Sequence, residues 1–279
     1  MTAAPLIADG AWGTELQARG LGIGECPDAW NLTHPAAVGE VAAAYAAAGS
    51  QVVLTNTFRA NRIALEGYGL AGQVEAINRA GVELSHRGSA GRARVFASIG
   101  PSGRMLAAGD VSEDALRDAF TEQARALAAA SADALVIETM SDPDEAAIAV
   151  EAACGTGLLV VACMVFDSGR NKDRTMMGTT PEQAAVRLAA AGAGVIGANC
   201  GCGIEGYIAI AARLRAATTL PVWIKPNAGL PELVDGRVTY RMTPAEFAAH
   251  ARRMEGVAYL GGCCGTTPEF IRALAASCG

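Results

Sequence analysis

The stretch LVVACMVFDSGRNKDRTMMGTTPEQAAVRLAAAGAGVIGANC, Leu159–Cys200, holds one complete unit of the fold. An apolar run, Leu159–Met164, leads into an irregular loop at 167–179. Thr180-Pro181-Glu182 then supplies a cap with proline at the first helical position of an Ala-rich helix. A second apolar run, Val195–Ala198, follows that helix. Both runs are continuous rather than alternating, as parallel strands buried on two faces require. Similar runs stand outward of this unit at Leu6–Ala8, Val52–Thr55, Val95–Ile99, Ala134–Ile137, Val222–Ile224 and Ala258–Leu260. The eight runs start about 36 residues apart on average, which suits strand–loop–helix–loop units of at least ~30 residues. Helical punctuation recurs between them. Pro35 opens a segment that Gly49 ends, and Ser112 opens another with Glu113 and Asp114 in its first turn. Thr243-Pro244 and Thr267-Pro268 repeat the capped proline start. Eight βα units predict the α/β class and, within it, a (β/α)8 TIM barrel forming a single domain over 1–279. The alternative is an open doubly wound sheet. Gly10-Ala11-Trp12-Gly13 after the first run does not fit that fold's GxGxxG turn, so the closed barrel is preferred.

Composition excludes several classes. Of 279 residues, 51% are apolar and 18% charged, which excludes a disordered chain. The net charge is −6 without a basic run, which excludes nucleic acid as the expected partner. No stretch reaches the roughly 18 uninterrupted apolar residues of a membrane span. MTAAPLIADG lacks the basic start and apolar run of a signal peptide. The expectation is a soluble, cytoplasmic protein. Eight cysteines in a chain of this size do not indicate a disulfide scaffold. Cys26, Cys154, Cys163 and Cys278 are scattered and read as small buried hydrophobes. Cys200, Cys202, Cys263 and Cys264 are clustered.

Cys200 closes the sixth run in GVIGANCG, and Cys263-Cys264 follow the eighth in AYLGGCCG. A closed barrel can bring these strand ends together over its mouth. Three thiolates suit Zn²⁺ and leave its fourth position open, whereas a structural zinc would more often use CxxC pairs, which are absent. Buried cysteines or a vicinal redox pair are the competing readings on spacing alone. Cys202 is a spare candidate, but Gly201 and Gly203 around it suggest that the strand has already turned. The three long irregular pieces, 20–35, 167–179 and 227–242, lie at or near strand C-terminal ends, the active face of a barrel.

GANCG and GGCCGTTPEFI, with ADGAWGTEL near the start, LTNTFRAN after the second run and PNAGLP after the seventh, resemble the homocysteine S-methyltransferase family. The similarity runs from Asp9 to Thr267. It implies an open zinc site on Cys200, Cys263 and Cys264, homocysteine as methyl acceptor and methionine as product. Zinc-bound substrate thiolate would be the nucleophile, because a free alkyl thiol is mostly protonated at neutral pH. It also implies that Asp9 and Glu138 hold the amino-acid end of homocysteine, a charge-assisted contact to its ammonium. The backbone near Gly10 is suited to the substrate carboxylate. Asn56 and Asn199 are read either as groups that orient ligands or as ordinary strand-end hydrogen bonders. Trp30 is read either as a cation–π contact to a cationic methyl donor or as loop packing. His34, His86 and His250 read as surface residues. The chain ends about 15 residues after Cys264, without room for a folate or cobalamin domain. The expected donor is therefore a small onium compound, such as S-methylmethionine or betaine, or a methyl-corrinoid on a separate protein. Two other readings stand beside this one: transfer to a different thiol, and a non-catalytic zinc- or thiol-binding subunit serving a separate methyl carrier.

Overall fold

The computed structural model describes residues 4–234 and 237–278. Residues 1–3 of the MTAAPLIADG segment, Asp235, Gly236 and Gly279 lie outside the described residues. Eight parallel strands run in chain order around a barrel: β1 (Leu6–Ile7), β2 (Val52–Val53), β3 (Arg94–Ile99), β4 (Ala134–Met140), β5 (Leu159–Met164), β6 (Val195–Cys200), β7 (Val222–Pro226) and β8 (Tyr259–Leu260). β8 pairs with both β7 and β1, and a parallel bridge from Ala8 to Val52 joins β1 to β2. That bridge closes the ring, so the open-sheet alternative does not hold. The helical starts fall where the capping residues stand. Ser112 caps Glu113–Ala129, and Thr180 and Thr243 each form a reciprocal capping box with the residue three positions on.

Two departures from the expected strands have local causes. The β2 ladder stops at Val53 instead of reaching Thr55, and the Leu54 N–H donates to the Asp9 carboxylate at 2.7 Å instead of to a neighbouring strand. β4 runs past Ile137 to Met140 through an irregularity in its pairing with β5, with Thr139 at φ +60°. The piece at 227–242 also carries a short antiparallel hairpin, Glu232–Val234 with Arg237–Thr239. No helix among the described residues is long and apolar enough to cross a membrane.

Two apolar layers hold the barrel. Outside, strand residues such as Val53, Ile137 and Ile224 pack against helix residues such as Val41, Phe120 and Leu214. Inside, Ala8, Val52, Phe96, Val136, Val161, Val195, Trp223 and Tyr259 fill the ring. The Phe96, Trp223 and Tyr259 rings lie 5.0–6.1 Å apart and plug its centre. This plug is the floor on which the polar residues of the mouth stand.

Candidate functional site

Strand periodicity selects the side chains of that upper layer. Residues two apart share a face, so Glu138 continues the inward series of Ala134 and Val136. Ser98 likewise continues Phe96, Asn199 continues Val195, and Lys225 continues Trp223. All four are buried. Glu138 accepts from Ser98 Oγ and, at 3.0 Å, from Asn199 Nδ2. Asn199 also donates to Thr139 Oγ1 and accepts from Thr139 N–H, each at 2.7 Å. One amide therefore fixes both the carboxylate and the left-handed residue beside it. Burial pushes the Glu138 carboxyl above its usual range, against the pull of the Lys225 charge and the Ser98 hydrogen bond.

Lys225 is 2% exposed, and its ammonium is paired with Asp9, which is fully buried. Burial presses the ammonium towards neutrality, but the charges of Asp9 and Glu138 outweigh it and hold the pKa above the ordinary lysine value. Asp9 Oδ2 accepts from Trp12 Nε1 at 2.8 Å and from Leu54 N–H at 2.7 Å, while Oδ1 accepts from Lys225. Both oxygens are thus engaged within the protein. Sequence reasoning missed Lys225; its signal was a lysine inside the buried run VWIK, in phase with Trp223.

Cys200, Cys263 and Cys264 place their sulfurs within 4.8 Å of one another. Cys200 adopts φ +64° at the end of β6, and its sulfur lies 4.0 Å from that of Cys264. The PNAGLP segment clamps this arrangement. Cys263 N–H donates to Pro226 O at 2.8 Å, Ala228 N–H to Cys264 O at 3.0 Å, and Asn227 Nδ2 to Gly201 O at 2.7 Å. Hydrogen bonds from Cys263 and Cys264 pull the Cys200 thiol down to about 3, and the same bonding raises its two partners. Three clustered soft donors fit a zinc ion. Cys202 is turned away, towards Asp167 O at 4.0 Å, after left-handed Gly201.

A cavity of about 300 Å³ opens above this layer, lined by Gly10, Trp12, Asn56, Glu138, Lys225 and the three cysteines among others. Gly10 has no room for a side chain: a Cβ there would stand 2.8 Å from Thr266 Oγ1 and from the Tyr45 ring. Asn56 lines the cavity while donating to Pro27 O and Asn31 Oδ1. Asn199 acts from behind Glu138, and Asp9 from behind Trp12. Trp30 is not brought to the cavity. It begins a short helix, Trp30–Thr33, is buried, donates from Nε1 to Glu25 at 3.0 Å and stacks on His34 at 4.2 Å. In this structure Trp30 is packed within its loop and lies outside the lining of that cavity.

Asp28, also in the cavity wall, is raised from 3.8 to about 6 by burial. A raised folded pKa gives stability that is present below the unfolded pKa and lost as pH rises through the folded one. Asp28→Asn keeps an acceptor for Arg59 N–H, 3.0 Å away in the parent, and does not ionise. Its stability relative to the parent is expected to grow between pH 4 and pH 7.5 by ~1–3 kcal/mol, read from urea unfolding at the two values. A constant difference between the two pH values would remove burial of the charge as the cause.

Fold and site together define a parallel barrel that gathers a metal-competent trio of thiols and a buried carboxylate at the C-terminal ends of its strands, the functional end of such barrels. The chain matches the family model of homocysteine S-methyltransferase over residues 6–278, and it belongs to that family. It is similar to methionine synthase of Mycobacterium tuberculosis, 31% identical over 293 residues, and spans 98% of this chain but 24% of that protein. It is also similar to the homocysteine methyltransferase MmuM from Escherichia coli in its metallated form, with a TM-score of 0.81 at 26% identity, covering 98% of this chain and 96% of that one. The carboxyl transferase domain of Rhizobium etli pyruvate carboxylase, TM-score 0.53 at 12% identity over 98% of this chain and 46% of that one, shares the fold alone.

Proposed function

We propose that this chain transfers a methyl group to the sulfur of homocysteine, giving methionine, with zinc held by Cys200, Cys263 and Cys264. The observation that carries this reading is the placement of three sulfurs within 4.8 Å of one another in the wall that also presents buried Glu138. Zinc supplies a Lewis acid that keeps the substrate sulfur as thiolate at neutral pH. The chain's own groups do the rest. Glu138, oriented by Ser98 and Asn199, takes the ammonium, and the backbone at Gly10 faces the carboxylate. Trp12, Leu54 and Phe58 give the same wall a mostly apolar surface. A sulfur lone pair forms the new S–C bond. The bond from the methyl carbon to the donor's leaving atom breaks, its electron pair stays with the leaving group, and the thiol proton passes to solvent. An onium donor, such as S-methylmethionine or betaine, suits this step because its leaving group departs neutral. The eight free cysteines suit the reducing cytoplasm.

The similarity to methionine synthase supports a second reading, in which the donor is a protein-bound methyl-corrinoid. Incubation of the purified chain with zinc, homocysteine and a donor panel, with methionine as readout, tests both. Close to one zinc per chain and methionine from an onium donor are expected. A reduced, chelator-free preparation without zinc would sink the central claim. Turnover only with a methyl-corrinoid protein would select the second reading.

A further inference from the structure

We infer that Trp12 is the platform for the cationic group of the methyl donor, a role that rests on the onium reading above and gives it a residue. Trp12 lines the same cavity as the three cysteines and Glu138, whereas Trp30 does not. The indole is partly buried and packs against the apolar cluster that fills the barrel. Its polar edge is tied down, because Nε1 donates to Asp9 Oδ2 at 2.8 Å. Asp9 is itself fixed by Lys225 and by Leu54 N–H. A buried ion pair beneath a pocket wall is expensive to maintain unless its hydrogen bonds are filled. Here they are filled by the indole, so the pair sets the ring's orientation. Asp9 and Lys225 are positioning residues in this arrangement, and Trp12 is the one that meets ligand.

The charge around the ring selects a cation. Glu138 and Asp28 line the cavity, and three thiolates around a divalent metal leave a formal charge of −1, which the substrate thiolate raises to −2. Lys225 is spent on Asp9, and the charge of Arg59, the other cationic side chain in the lining, acts on Asp28 and offsets it, so the anionic excess rests on Glu138 and the cysteine trio. An aromatic face in a partly desolvated, anionic cavity attracts quaternary ammonium or sulfonium groups through the ring quadrupole. Phe58 adds a second ring to the same wall.

The test is calorimetry on zinc-supplied protein with two probes: choline, a quaternary ammonium, and 3,3-dimethylbutan-1-ol, its neutral isostere. The unmutated chain is expected to prefer choline. Trp12→Leu, which keeps apolar contact without the quadrupole, is expected to weaken choline ~10-fold and the isostere by no more than about twofold. Trp12→Phe should retain part of the preference, which keeps the test informative if the leucine variant folds poorly. No choline preference in the unmutated chain, or equal losses for both probes, would overturn the inference. Neither arm needs turnover or homocysteine. Failure of zinc or homocysteine to bind is scored separately and counts against the proposed function instead.

Discussion

Cys200→Ser is expected to weaken zinc binding by ~100-fold or more and to abolish methionine formation in parallel, while Cys202→Ser leaves both within about threefold. The two residues are separated by one glycine, yet the backbone treats them oppositely. β6 ends at Cys200, whose φ of +64° brings its sulfur beside Cys264. Gly201 at φ +71° and Gly203 at φ +106° then carry the chain through a turn that an L side chain would strain. Cys202 emerges facing Asp167 O and a different depression of the surface. Serine offers a hard, weakly acidic oxygen where the trio needs a soft thiolate. Matched zinc titrations of the two variants decide the matter. Metal loss in Cys202→Ser with retention in Cys200→Ser would move the ligand assignment to the other side of the turn.

That turn illustrates what was legible in the sequence. Continuous apolar runs and capped proline starts report on burial and local geometry, and they located all eight strands and the main helix starts. The cysteines at the ends of two strands were readable as a cluster, although their spacing alone left buried thiols and a vicinal redox pair open, and only the fold brings Cys200, Cys263 and Cys264 together. Asp9 and Trp30 were less so. A carboxylate after a strand looks the same whether it faces substrate or a buried lysine. Only the three-dimensional register reveals that Asp9 is taken up by Trp12, Leu54 and Lys225. An aromatic in a long loop is similarly ambiguous until its neighbours are known, and His34 and Glu25 claim Trp30. Lys225 carried a detectable signal, a charge in phase with inward apolar residues, but its partner lies 216 residues away.

Glu138→Gln is expected to weaken homocysteine binding by ~30–100-fold with zinc content unchanged. Glutamine keeps the length of the side chain and one carbonyl acceptor, so Ser98 and Asn199 retain much of their geometry. The difference is charge. A hydrogen bond to a charged group contributes about 1.5–3 kcal/mol, and in a buried wall the ammonium of homocysteine has no equal substitute. Asp9 is fully buried outside the cavity lining, where it accepts from Trp12, Leu54 and Lys225. Removing the Glu138 charge also leaves Lys225 facing Asp9 alone, which preserves the buried pair and the indole above it. The loss should therefore appear in homocysteine affinity and be small in protein stability, measured by calorimetry and by thermal unfolding of the same preparations. Equal homocysteine affinity in variant and parent would take Glu138 out of the substrate contact. Loss of zinc from Glu138→Gln would instead assign the carboxylate to holding the cysteine trio together, a role its 3.0 Å bond to Asn199, next to Cys200, would then explain.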